Sequence, residues 1–194
     1  MSKPLDTIVA EARACAVCKD NLAHPPRPVL QCSTEAQVLI AGQAPGRKVQ
    51  ETGIPFDDAS GDRLRDWMGI DKSVFYDPQK IAILPMGFCY PGTGKSGDLP
   101  PRKECAPLWR QQLLDALSNL KFTLVIGQYA MAWHMPDMKK QPLTQTVRDW
   151  RNHIDNGVMP LPHPSPRNNI WMAKNEWFAE DVLPTLKEKI SKLI

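Results

Sequence analysis

No apolar run in this chain approaches the ~18 consecutive residues that a membrane-spanning helix needs. The first ten residues lack the basic-then-apolar pattern of a secretory leader. An internal repeat, a low-complexity tract and a dividing linker are also missing. Membrane proteins, secreted proteins and repeat arrays are therefore set aside. The expectation is one domain over residues 1–194, cytoplasmic and monomeric. Strong charge of either sign is lacking too. A net charge of +3 and a pI of about 8.6 permit nucleic-acid binding without requiring it. In a reducing compartment the five cysteines are expected as metal ligands or reactive thiols rather than disulfides.

What is present suits a globular core: 42% of residues are hydrophobic and 23% charged, enough to fold without staples. Nineteen prolines predict many stiff loops. Short apolar runs at 37–41, 81–84, 123–126 and 158–161 read as buried strands. Helical spacing covers 5–14, 60–68, 106–117 and 128–134, and most of 170–193 with a break near Pro184. Residues 92–101 read as a glycine and proline loop. Strands that are wholly apolar and alternate with helices predict an α/β fold, a parallel sheet covered on both faces. Ligands of such sheets bind beyond the carboxyl ends of the strands. Segments 42–46, 85–89, 127–128 and 163–169 all follow predicted strands, so the chemistry is expected among them.

Four cysteines fall into two pairs, Cys15-x2-Cys18 and Cys89-x15-Cys105, while Cys32 stands apart as a small buried residue. An all-thiolate set suits zinc or an iron–sulfur cluster, and spacing does not separate the two. Gly92-Thr-Gly94-Lys95-Ser96 has the end of a phosphate-binding loop, but the glycine required five residues before Gly94 is Cys89. The segment is expected instead as a basic loop whose Lys95 touches DNA phosphates or solvent.

The turn Gly42-Gln43-Ala44-Pro45-Gly46 after the first strand resembles the first motif of the uracil-DNA glycosylase superfamily, in the form found in its family 4. Gly53-Ile-Pro55-Phe56 with Ser60-Gly61-Asp62 resembles the continuation in families 4 and 5. His163-Pro-Ser165-Pro166-Arg167-Asn168 is similar to the second motif of the single-strand-selective monofunctional enzymes. Leu124-Val-Ile-Gly127-Gln-Tyr-Ala130 looks like the intervening strand and helix of family 4. The cysteine spacing resembles the cluster ligands of families 4 and 5.

The resemblance implies a three-layer α/β/α sandwich around a four-stranded parallel sheet. It implies a 4Fe-4S cluster on Cys15, Cys18, Cys89 and Cys105, and DNA containing a damaged base as the partner. The implied reaction is hydrolysis of the bond between a deaminated base and deoxyribose, after the nucleotide is flipped from the stack. Phe56 then stacks on the base. His163 donates to a base carbonyl as negative charge spreads onto it, and backbone groups of Gln43 and Ala44 address the same carbonyls. Asp58 orients the water, with Asp57 as the adjacent alternative; a carboxylate capping a helix is the plainer reading of either. Pro45, Ser165, Pro166, Arg167 and Asn168 face the DNA backbone or the gap left by the flipped base.

The chain departs from the family at two points. Ala44 occupies the place of a family 1 aspartate. Pro85 stands where families 4 and 5 carry an asparagine that reads the edge of uracil. Backbone groups of 85–89, Met86 among them, are left to supply that contact, and hypoxanthine or xanthine joins uracil as a candidate base. A member of the fold that binds DNA or a damaged base without cleaving it is the alternative.

Overall fold

The computed structural model describes residues 3–95 and 97–194. Its centre is a four-stranded sheet, every neighbouring pair parallel, in the order β2-β1-β5-β6. The strands are β1 (Val38–Ala41), β2 (Ile81–Ile83), β5 (Phe122–Ile126) and β6 (Val158–Leu161). Register fixes them firmly: Leu39 sits beside Ala82 on one side and Thr123 on the other. The predicted four strands are these four. Each carries apolar residues on both faces because helices cover both.

Alternation then sorts the side chains. Val38, Ile40, Ile81 and Ile83 face Leu64, Trp67 and Met68 of α3 (Ala59–Met68) and Leu186 and Ile190 of α10 (Leu183–Ser191). Leu39, Ala82 and Leu84 point the other way. They pack on Leu5, Ile8 and Ala12 of α1 (Leu5–Arg13) and on Trp109 and Leu113 of α5 (Cys105–Ala116). The result is the three-layer α/β/α sandwich. Among the described residues, no helix is long and apolar enough to cross a membrane.

The edge strand β2 is covered rather than left bare. Gln31 and Ile83 exchange two backbone hydrogen bonds, and the Val29 N–H bonds to the Phe88 carbonyl at 2.7 Å. Past the end of β2 the ladder continues into the loops. The Leu84 N–H bonds to Ile40 O at 3.0 Å, Met86 N–H to Gly42 O at 2.8 Å, and Gly87 N–H to Gln43 O at 3.0 Å. The turn after β1 and the segment after β2 are thereby held side by side.

One expectation changes and one gains detail. The segment 92–101 contains a hairpin of β3 (Thr93–Gly94) and β4 (Gly97–Asp98); Ser96, at its tip, lies outside the described residues. The C-terminal helical region breaks first at Asn175, which ends α9 (Asn169–Lys174), and is interrupted again by a π-helix over Phe178–Val182, next to Pro184 as expected. Pro184 is the second residue of α10, so the irregular turn lies immediately before the residue that cannot donate to a regular one. The remaining helices are α2 (Arg47–Thr52), α4 (Lys72–Phe75), α6 (Gly127–His134), α7 (Leu143–Arg148) and α8 (Arg151–Ile154).

Candidate active site and cysteine pocket

A cavity of about 440 Å³ opens at the carboxyl edge of the sheet. Gly42, Gln43, Ala44, Pro45 and Gly46 line it from the turn after β1, and Pro85 from the end of β2. Phe56 and Asp58 enter from the start of α3, and His163, Ser165, Arg167 and Asn168 from the loop after β6. Segments more than a hundred residues apart in sequence thus converge on one space because parallel strands deliver their loops to the same edge.

Phe56 is held in place at some cost. Its φ of 55° is the only positive value outside glycine among the described residues. The strain is retained by packing. The ring meets Phe75 edge-on with centroids 6.1 Å apart, and its carbonyl accepts from Arg65 Nη1 at 3.4 Å. A Cβ on Gly61 would overlap that carbonyl, so this position in α3 excludes every side chain.

Asp58 caps α3: its Oδ1 accepts from the Gly61 N–H at 2.9 Å. The second oxygen remains for the cavity. Oδ2 of Asp58 lies 3.9 Å, and Oδ2 of Asp98 3.6 Å, from the point a Cβ on Gly46 would occupy. Two carboxylates therefore face the first-motif turn. Asp57 does not line the cavity.

His163 shows which of its nitrogens is free. The Ser165 N–H donates to Nδ1 at 3.2 Å, so Nδ1 carries the lone pair and the ring proton is on Nε2. Burial lowers the histidine pKa, while Asp58 and Asp98 pull it back up. A neutral imidazole with one N–H donor is the result. The loop is fixed from two sides. Asn168 Nδ2 donates to His163 O at 2.7 Å, and Arg63 of α3 donates to Ser165 O at 3.0 Å and Asn169 Oδ1 at 2.8 Å. Asn168 thus spends its amide on the loop itself. Arg167 packs on the hairpin, its Nη1 2.5 Å from where a Cβ on Gly97 would be.

One expected base contact falls elsewhere. Met86 is a core residue, 6% exposed, and does not line the cavity. Its N–H and that of Gly87 are spent on Gly42 O and Gln43 O, and the Phe88 N–H on Cys105 Sγ at 3.3 Å. The segment 85–88 therefore has no free backbone donor with which to replace the missing asparagine. Lys95 is exposed at the hairpin tip and Pro166 is exposed at the start of a short 3-10 turn, both outside the cavity wall. Motif reading missed Asp98, Arg63 and Ile170. Asp98 is hidden in a glycine-rich segment without pattern. Ile170, 70% exposed two residues beyond Asn168, is legible only once burial is known.

Cys15, Cys18, Cys89 and Cys105 line a second, mostly apolar pocket between the end of α1, the start of α5 and the segment 85–89. All five cysteines are free, and Cys32 lies apart against the second core. Burial, together with the neighbouring cysteines, pushes Cys105 up to about 12; burial likewise raises Cys89 to about 11. Among the described residues no group of three or more Cys, His, Asp and Glu side chains is arranged to hold a single metal ion.

A family model described as the Uracil DNA glycosylase superfamily matches residues 30–187. The matched span includes every residue of the cavity wall except Val29.

Proposed function

The chain belongs to the uracil-DNA glycosylase superfamily, and we propose that it is a monofunctional DNA glycosylase that hydrolyses the N-glycosidic bond of a deaminated base in DNA. Members of the superfamily are generally DNA glycosylases. The observation that carries it is the shared cavity of Phe56, Asp58 and His163 beside the Gly42 turn. In this reading the flipped base lies against Phe56. The Nε2–H of His163 donates to a base carbonyl and strengthens its bond as charge builds there. The free Oδ2 of Asp58 orients the attacking water and offsets positive charge on the sugar. Neutral His163 suits this role, since a fixed donor is wanted and not a proton source.

Pro45, Ser165, Pro166, Arg167 and Asn168 are proposed on the DNA-facing side, with Lys95 at the hairpin tip as an outer phosphate contact. Because the segment 85–88 offers no free backbone donor, the base is selected in this reading by His163, Gln43 and Ala44. A site built this way discriminates among carbonyl-bearing bases differently from one with an amide. Uracil, hypoxanthine and xanthine are therefore all within the proposed range.

The four pocket cysteines are proposed as the ligands of an iron–sulfur cluster. The support for this is that all four line one mostly apolar pocket and fall in two pairs along the chain. Cys15, Cys18, Cys89 and Cys105 would hold a 4Fe-4S cluster that ties loops together and supplies no step of the hydrolysis.

The test is cleavage of single- and double-stranded oligonucleotides carrying one uracil, hypoxanthine, xanthine or normal base. The protein is purified without oxygen, and abasic sites are revealed by alkali. Cleavage of one lesion is the expected result. Retained DNA affinity with no abasic product from any of them overturns the enzymatic reading and leaves a binding member of the fold.

A further inference from the structure

A cation lies behind the cavity wall. Arg110 of α5 is 1% exposed. Its Nη1 donates to Leu84 O at 2.8 Å and to Pro85 O at 3.2 Å. Nε and Nη2 both reach Nε2 of His134, at 3.0 and 2.6 Å. Every one of these acceptors is neutral. Burial, and then Arg110 itself, hold His134 down to about 3, so the ring adds no charge. Among the described residues no carboxylate pairs with Arg110.

Cys105, five residues earlier on α5, is the titratable group whose charge acts on Arg110, and a buried cation with no carboxylate beside it is stabilised by an anion that forms nearby. Pro85 connects this one to the chemistry: its carbonyl accepts from Arg110, and the same residue lines the base cavity. When the glycosidic bond breaks, its electron pair stays with the base. The base becomes an anion and C1′ of the sugar a cation. Water then adds its oxygen to C1′, and its released proton ends on the base. The anion forms on the cavity side of Pro85, in a site with two carboxylates and a single histidine donor.

We propose that Arg110 is the fixed counter-charge of this cavity, stabilising the negative charge on the departing base across Pro85. This rests on the glycosylase reading above and narrows its substrates. Arg110 does not touch the base; it is a positioning residue for charge, where an amide side chain would act by contact. A buried positive charge favours neutral bases that leave as anions. It disfavours N-alkylated cationic purines, which leave neutral. A preformed charge in a water-poor site needs no reorganisation at the moment of reaction, which is why such groups rank among the larger electrostatic contributions.

The experiment compares leaving groups. Single-turnover cleavage is measured for wild type, Arg110→Lys and Arg110→Met on matched pairs, uracil against the more acidic 5-fluorouracil and hypoxanthine against xanthine. Arg110→Met is expected to lose about 10²-fold on the poorer leaving group and markedly less on the more acidic one. Arg110→Lys is expected to fall between. An equal loss on both members of a pair, or Lys no better than Met, overturns the proposal, because a merely structural defect does not sense leaving-group acidity. Wild type alone gives a second arm that needs no variant to fold: DNA carrying 7-methylguanine is expected to remain intact. Its cleavage faster than any deaminated base overturns the proposal. Wild type that cleaves nothing at all instead overturns the glycosylase reading.

Discussion

Asp58 has two tasks that one substitution separates. As the cap of α3 it accepts the Gly61 N–H, and through its other oxygen it faces the cavity. Asparagine caps helices about as well as aspartate, whereas alanine costs about 1 kcal/mol. Asp58→Asn is therefore expected to keep its Tm and its DNA affinity while single-turnover cleavage falls on the order of 10²–10³-fold. Asp58→Ala is expected to lose stability as well. Unchanged cleavage in Asp58→Asn would remove this carboxylate from the chemistry. Gly61 makes a complementary case. A methyl group there overlaps the carbonyl of Phe56, whose φ of 55° leaves the backbone little freedom to yield. Gly61→Ala is expected to destabilise by about 1–3 kcal/mol, read as a lower midpoint in urea, and to displace the aromatic face from the cavity.

The elements that deliver these residues were legible to different degrees. Four apolar runs bounded by glycine, proline and polar turns marked the four strands, because a doubly covered sheet needs nothing subtler. The first-motif turn and the His163 loop followed from their positions after strands. The β3–β4 hairpin did not, since two-residue strands built on Thr93–Gly94 and Gly97–Asp98 carry no alternation to read. Asp98 was lost with it. Met86 was misjudged because the ladder runs past the last strand residue and spends the very N–H that was expected to meet the base. Arg63 is another long-range effect: no local pattern tells that a guanidinium in α3 will pin a loop a hundred residues away. That pinning has a consequence. It fixes the start of α9, so Ile170 is presented on a rigid support, 70% exposed beside Arg167. Flipping a base from a duplex costs a few kcal/mol, and an apolar side chain filling the gap offsets part of it. Ile170→Ala is expected to lower cleavage of duplex lesions about tenfold, a fraction of that flipping cost, and to leave single-stranded lesions unaffected. Equal losses on the two substrates would mean that Ile170 fills no gap.

Across the whole molecule, the two pockets share structure. The segment 85–89 walls the base cavity at Pro85 and the cysteine pocket at Cys89, and α5 carries Cys105 and Arg110 five residues apart. Removing the proposed cluster from the cysteines is therefore expected to speed amide exchange at Met86 and Gly87, whose N–H groups hold the first-motif turn. Exchange confined to the cysteine loops would show the pockets to be independent. The same region predicts how stability depends on pH. His134 is held neutral down to about 3 by burial and by Arg110, against an ordinary value of 6.5. Above 6.5 neither the folded nor the unfolded chain protonates it, and its contribution is flat. As pH falls below that value the unfolded chain takes up a proton that the folded chain cannot, so stability drops with falling pH. His163, lowered chiefly by burial, acts in the same direction. The window from about pH 6.5 to about pH 4.5 lies above the ordinary carboxylate range, so histidines dominate it. Tm is expected to decline across that window, and the decline to be shallower in His134→Gln, whose amide oxygen still accepts from Arg110 without titrating. A variant that loses stability on acidification as steeply as wild type would show that the Arg110–His134 pair is not what the acid disrupts.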